Sequence, residues 1–131
     1  FDTYFEFLKN RGPDFQIKKK VITDESLINL GFTRLAIQDL SNKSNQIFMN
    51  KKKILLFNGE IYNKSHLYNE YLNNIILKTD TDTEVLVNLI EDVQRNQDVK
   101  LGKAVQIALN ETVGAYAIAV FDKKKPNEIV V

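Results

Sequence analysis

The spacing of apolar positions changes several times along the chain, and each change marks an element. Phe1, Tyr4, Phe5 and Leu8 follow an i, i+3, i+4, i+7 pattern, so the chain opens inside an amphipathic helix. Arg11-Gly12-Pro13-Asp14 breaks that helix, and Phe15 to Val21 reads as extended. Ser26 to Ile37 holds a β-rich run, Leu27-Ile28-Asn29-Leu30-Gly31-Phe32, and Ser41 to Asn45 is a polar loop. Ile47 to Met49 and Lys53 to Phe57 flank Asn50-Lys51-Lys52 as a hairpin. Leu67, Tyr68, Tyr71 and Leu72 form a helical stripe after the capping residues Asn63 and Ser65, and Ile75 to Leu77 is a short strand. Val85, Leu86, Leu89, Ile90 and Val93 give the clearest helix, and Leu101, Ala104, Val105 and Ala108 give another. Ala115 to Phe121 is a continuous apolar run between Gly114 and Asp122, the pattern of a strand buried on both faces, and Glu128 to Val131 reads as one more strand. Without strict βαβ alternation, the order predicts an α+β fold with largely antiparallel sheet and helices packed outside.

Composition narrows the class. At 131 residues and 44% apolar content, the chain is the size of one domain with a real core. Lys+Arg 18 against Asp+Glu 17 leaves +1, so no global field favours nucleic acid or an acidic membrane. No apolar run is long enough to span a bilayer, there is no signal-peptide pattern, and the cytoplasm is the default compartment. With no cysteine and a lone His66, disulfides and thiolate metal sites are excluded and no metal is expected. An uncapped opening helix and a closing apolar strand that stops in mid-run read as a segment of something longer, incomplete at both ends.

Residues Ile54 to Asn63 carry the densest chemistry, an apolar run that reaches Asn58-Gly59-Glu60. Asn58 offers two amide N–H donors, Gly59 exposes its backbone N–H without a Cβ in the way, and Glu60 can hold a cation. A carbonyl turning negative beside Asn58 and Gly59 would meet two donors, the layout of an oxyanion hole. Taken alone, the same residues favour a β-turn, since Asn-Gly is the strongest short hairpin signal.

Three other features have two readings each. The lysine triplets Lys18 to Lys20, Lys51 to Lys53 and Lys123 to Lys125 read as solvated strand ends that guard sheet edges. They lack the interleaved aromatics of a nucleic-acid surface. Thr81-Asp82-Thr83-Glu84 has the spacing of a capping box, with Asp82 in the first turn gaining about 0.3–1 kcal/mol from the helix macrodipole. Alternatively, Asp82 accepts hydrogen bonds from a ligand ammonium. Arg34 interrupts an apolar run and shares a face with Leu30, Phe32 and Ala36. Its guanidinium either grips a ligand carboxylate bidentately or pairs with an acid of this chain such as Asp39 or Asp14.

Taken in order, Arg11-Gly12-Pro13-Asp14, Gly31 to Ser41, Phe57-Asn58-Gly59-Glu60-Ile61-Tyr62-Asn63 and Thr81-Asp82-Thr83-Glu84-Val85 resemble the class II glutamine amidotransferase domain across nearly the whole chain. The resemblance implies the N-terminal-nucleophile hydrolase sandwich (αββα), two stacked antiparallel sheets between helical layers. It implies that Arg34 binds the α-carboxylate of glutamine and that Glu60 and Asp82 hold its α-ammonium. Asn58, through its side-chain amide, and Gly59, through its N–H, would stabilise the oxyanion. It implies no cofactor for the glutaminase reaction. The family's nucleophile is an N-terminal cysteine activated by its own α-amino group, of reference pKa about 7.7–8.0. This sequence has no cysteine, and the expectation is that the strand carrying it precedes Phe1.

The parent type divides along the chain. The Arg11 to Asp14, Arg34 to Ser41 and Phe57 to Asn63 segments look most like asparagine synthetase. Thr79 to Val85, and Ala104 through Gly114 to Pro126, look more like glutamine–fructose-6-phosphate aminotransferase, the type favoured here. Ile37 and Phe57 depart from the aminotransferase pattern, which has threonine and histidine there. Either parent implies a separate synthase or isomerase domain as the partner that receives ammonia, with a homo-oligomer left open. A non-catalytic amidotransferase-like binding module is the other reading, since the nucleophile is absent.

Overall fold

The computed structural model describes residues 1–23, 26–34, 47–50, 52–79 and 81–131. The polar loop at Ser41 to Asn45 and the candidate partner Asp39 lie outside them. The chain divides into two compact units, Phe1–Ile47 and Phe48–Val131. Among the described residues no helix is long and apolar enough to cross a membrane.

The first unit is a helix on a hairpin. α1 (Asp2–Lys9) precedes β1 (Phe15–Ile22) and β2 (Leu27–Arg34), which pair antiparallel from Phe15↔Arg34 to Ile22↔Leu27. Of the apolar stripe read from the sequence, only Phe5 is buried, and Tyr4 stays 77% exposed. Phe5 lies so close to β2 that a Cβ on Gly31 would come within 2.6 Å of its ring, so the missing side chain there lets the helix settle. Lys18 bonds Asp2 at 2.6 Å and holds its Nζ 4.8 Å from the Phe5 ring centroid, so this lysine is a local brace. At the other end of the hairpin, Asp14 N–H donates to the Arg34 carbonyl at 3.2 Å and Pro13 bridges to Arg34. A Cβ on Gly12 would strike the Arg34 nitrogen and the Thr33 carbonyl carbon. The Arg11 to Asp14 segment therefore fixes the backbone of Arg34.

In the second unit, β3 (Phe48–Met49), β4 (Lys53–Ile61), β5 (Gly114–Asp122) and β6 (Lys125–Val130) form an antiparallel sheet in that order. Three helices accompany it: α2 (Lys64–Tyr71), α3 (Asp82–Gln97) and α4 (Leu101–Asn110). The periodic apolar face of α3, Val85, Leu86, Leu89, Ile90 and Val93, is buried with Leu55, Val120, Leu101 and Val105 in one cluster. The hairpin read across Asn50 to Lys52 is present, with Phe48↔Leu55 and Met49↔Ile54 as its rungs.

Several expectations are corrected here. Ile75 to Leu77 forms no strand: Ile75 N–H closes a turn to the Leu72 carbonyl at 2.8 Å and Ile76 is 94% exposed. The β5 run is sealed only at Val120 and Phe121, while Ala115 and Ala117, which pair with Glu60 and Asn58, are exposed. Neither Asn63 nor Ser65 caps α2 with its side chain: Asn63 instead donates to the Glu111 carbonyl at 2.8 Å and accepts from Val113 N–H at 2.9 Å. Lys53 is not a solvated strand end but is buried at 1% exposure, with Nζ 3.5 Å from Asp122 Oδ2.

Candidate functional site

Asn58, Gly59 and Glu60 lie inside β4, paired with Ala117, Tyr116 and Ala115 of β5. The Asn-Gly pair is therefore no hairpin turn. A ladder that continues to Ile61↔Gly114 overrides the local turn preference. Alternation along the strand puts Asn58 and Glu60 on one face, each opposite an alanine. On the opposite face the larger residues Leu55 and Phe57 meet Val120 and Ile118. Toward this end of the strand one side of the sheet thus carries apolar bulk, and the other carries an amide and a carboxylate over short neighbours, while farther along the same side Ile54 and Phe121 are buried.

Gly59 is the only residue type this rung accepts. Its φ of +146° lies where L side chains are strained, and a Cβ there would strike the Ala115 carbonyl oxygen and the Tyr116 Cα. The close approach of β5 fixes that conformation, with the Phe57 and Tyr116 rings stacked at 6.0 Å beside it.

Asp82 is the first residue of α3, and its carboxylate turns back to the end of β4. Oδ2 accepts the Ile61 N–H at 2.8 Å, and Oδ1 stands 3.8 Å from Lys64 Nζ. Tyr62 N–H donates to the Val113 carbonyl at 2.8 Å, on the β5 side, so the Ile61 N–H faces the opposite edge. The same alternation assigns the Gly59 N–H to the edge that Asp82 occupies. The amide, the glycine N–H and two carboxylates thereby belong to the last four rungs of one strand and to the helix start bonded to its end. An amide, a glycine N–H and carboxylates are groups that can meet a polarised carbonyl and an ammonium.

Arg34, the remaining candidate, ends β2 in the first unit, half-buried, in register with Phe15. The capping box is only half formed. Thr81 Oγ1 accepts from Glu84 N–H at 3.3 Å, but the Glu84 carboxylate takes Lys78 N–H at 2.9 Å and Thr79 N–H at 2.6 Å. Sequence reasoning missed Lys64 and this use of Glu84. A lysine just past a strand gives no periodic signal, and the box spacing pointed to a different acceptor geometry.

The family described as "glutamine amidotransferase domain" matches residues 1–131. The glutamine–fructose-6-phosphate aminotransferase [isomerizing] of Bacteroides thetaiotaomicron is 47% identical over 81 residues, covering 61% of this chain and 13% of that protein. The probable asparagine synthetase [glutamine-hydrolyzing] of Acanthamoeba polyphaga mimivirus is 41% identical over 83 residues, covering 63% of this chain and 15% of that protein. The chain thus spans a small fraction of the length of these curated relatives. Among solved structures, the glutamine phosphoribosylpyrophosphate amidotransferase from B. subtilis, complexed with ADP and GMP, superposes with a TM-score of 0.65 at 20% identity. That match covers 91% of this chain and 32% of the other. The likeness bears out the α+β class and the N-terminal-nucleophile hydrolase fold. With its full length matched, the chain belongs to the glutamine amidotransferase family, as a class II domain.

Proposed function

We propose that this chain supplies the glutamine site of a glutaminase that releases ammonia for transfer to an acceptor, fructose-6-phosphate being the acceptor favoured. The observation that supports it is the end of β4, where the Asp82 carboxylate accepts the Ile61 N–H at 2.8 Å directly after Asn58-Gly59-Glu60. In this reading Asp82 and Glu60 hold the α-ammonium of glutamine and Arg34 takes its α-carboxylate. The Asn58 amide and the Gly59 N–H receive the oxyanion as the side-chain carbonyl becomes tetrahedral. Removing one such donor costs about 2.7–4 kcal/mol of transition-state stabilisation. The step is acyl transfer and needs no cofactor, and the ammonia passes to a synthase or isomerase partner domain.

The 131 residues contain no cysteine, so this reading requires a cysteine nucleophile that they do not supply. The test is ammonia release from glutamine by the full-length natural gene product. Asn58→Ala lowers kcat about 10²–10³-fold, and Asp82→Asn raises KM. A protein of these 131 residues alone releases none; ammonia from it would overturn the assignment of a cysteine nucleophile.

Two observations favour other readings. The asparagine synthetase relative supports ATP-activated aspartate as the acceptor, and ammonia-dependent assays with each acceptor separate the two parents. The lack of any cysteine supports a non-catalytic binding module. Intact mass and N-terminal sequencing of the natural product decide it, because a mature cysteine N-terminus is required by the enzyme and not by the module.

A further inference from the structure

We infer that Glu84 is a positioning residue for glutamine binding, acting through the turn that leads into α3 and so through the aim of Asp82; the inference rests on the reading of Asp82 given above. Glu84 is 4% exposed, and among the described residues the hydrogen bonds of its carboxylate run to Lys78 and Thr79, just before the helix. Lys78 N–H donates to Oε1 at 2.9 Å, while Thr79 donates to Oε2 twice, from N–H at 2.6 Å and from Oγ1 at 2.5 Å. Thr79 Oγ1 also lies 2.9 Å from Thr81 Oγ1, which accepts Glu84 N–H at 3.3 Å. Side chain and backbone of one acid thus close a loop around the approach to the helix.

Asp82 sits inside that loop, two residues before Glu84, with its own carboxylate committed to Ile61 N–H at 2.8 Å. A capping box would need only the Thr81 backbone N–H and would leave residues 78 and 79 free to move. The bonds seen here do the reverse: they fix the incoming turn and leave the cap to Thr81 alone. A ligand-binding carboxylate shifted by 1 Å forfeits much of its contribution, so a buried clamp on its supporting backbone bears on substrate affinity. A carboxylate suits the role because it can accept on both oxygens, whereas an amide presents one acceptor and one donor.

The test uses the full-length natural gene product and four variants. Glu84→Gln keeps the shape but turns an N–H₂ toward a backbone donor, and Thr79→Val removes the hydroxyl. Each is expected to raise the KM for glutamine at least fivefold, or to weaken calorimetric glutamine binding as much if the product does not turn over, with kcat within twofold. Thr79→Ser restores the hydroxyl and is expected to restore affinity. Loss of stability with unchanged KM in Glu84→Gln and Thr79→Val overturns the inference. If Glu84→Gln does not fold, the valine and serine pair decides alone. Asp82→Asn separates this inference from the reading beneath it. A weakened Asp82→Asn beside unaffected Glu84→Gln and Thr79→Val sinks only the positioning role, whereas an unaffected Asp82→Asn, or no glutamine binding by the parent protein, sinks both.

Discussion

Lys53 and Asp122 face each other across β4 and β5, 3.5 Å apart, with the lysine sealed at 2% side-chain exposure and the aspartate at 21%. The two are not equivalent partners. Asp122 also accepts the Lys124 N–H at 2.8 Å and reaches water, so it survives the loss of its cation. Among the described residues, Asp122 is the partner given to the Lys53 ammonium. Asp122→Ala should cost about 3–5 kcal/mol by stranding a buried charge, whereas Lys53→Met should be close to neutral. Urea unfolding at neutral pH measures both, and equal costs would refute the asymmetry.

Gly59→Ala should be among the most damaging single methyl additions in the second unit. The backbone strain at φ +146° contributes about 1–3 kcal/mol, and the contact with the Ala115 carbonyl adds about 1–3 kcal/mol of overpacking. Gly102, where an added Cβ meets only Val130 at 4.0 Å, is the control. Thermal unfolding of the two alanine variants should differ in midpoint, with Gly59→Ala far lower.

Lys64 places an ammonium 3.8 Å from the Asp82 carboxylate, on the group proposed to hold the ammonium of glutamine. A partly exposed pair of this kind is worth about 0.2–1 kcal/mol, so Lys64→Met should tighten glutamine by up to about fivefold. Isothermal titration with the full-length product reads this directly. Weaker binding would mean that Lys64 serves the ligand itself and does not compete with it.

Tyr71 donates to Glu111 Oε2 at 3.0 Å, and that bond, then burial and the carboxylate's charge, raise its phenol above the ordinary tyrosine value. The sign follows. With the folded value above the unfolded one, the contact's stabilisation is whole below about pH 10 and is lost as pH climbs through the raised value. An ultraviolet difference titration of the parent against Tyr71→Phe should isolate this late-ionising phenol, and Glu111→Gln should return it toward its ordinary range.

Where local pattern and tertiary context agree, the sequence was enough. The 3.6-residue spacing of Val85 to Val93 gave α3, and the Lys-rich break at Asn50 to Lys52 gave the hairpin between β3 and β4. Where they conflict, tertiary pairing prevailed. Asn58-Gly59 has turn chemistry but lies in a strand because β5 bonds past it, and Ile75 to Leu77 has strand chemistry but is held in a turn by Leu72 and by Tyr68 Oη on the Ile75 carbonyl at 3.1 Å. The candidate residues were legible through the order of four motifs, not through any one of them. Lys64 and the Glu84 clamp were not, since both depend on which backbone groups the fold brings within reach.

β4 runs unbroken for nine residues, from the lysine sealed at its start to Ile61. A slip of one rung against β5 would rotate Leu55 out of the apolar cluster and, in the same movement, turn Asn58 and Glu60 to the opposite side of the sheet. Selection for a well-packed interior and selection for correctly aimed polar groups therefore act on a single alignment, and a variant that misregisters this strand cannot keep one while losing the other.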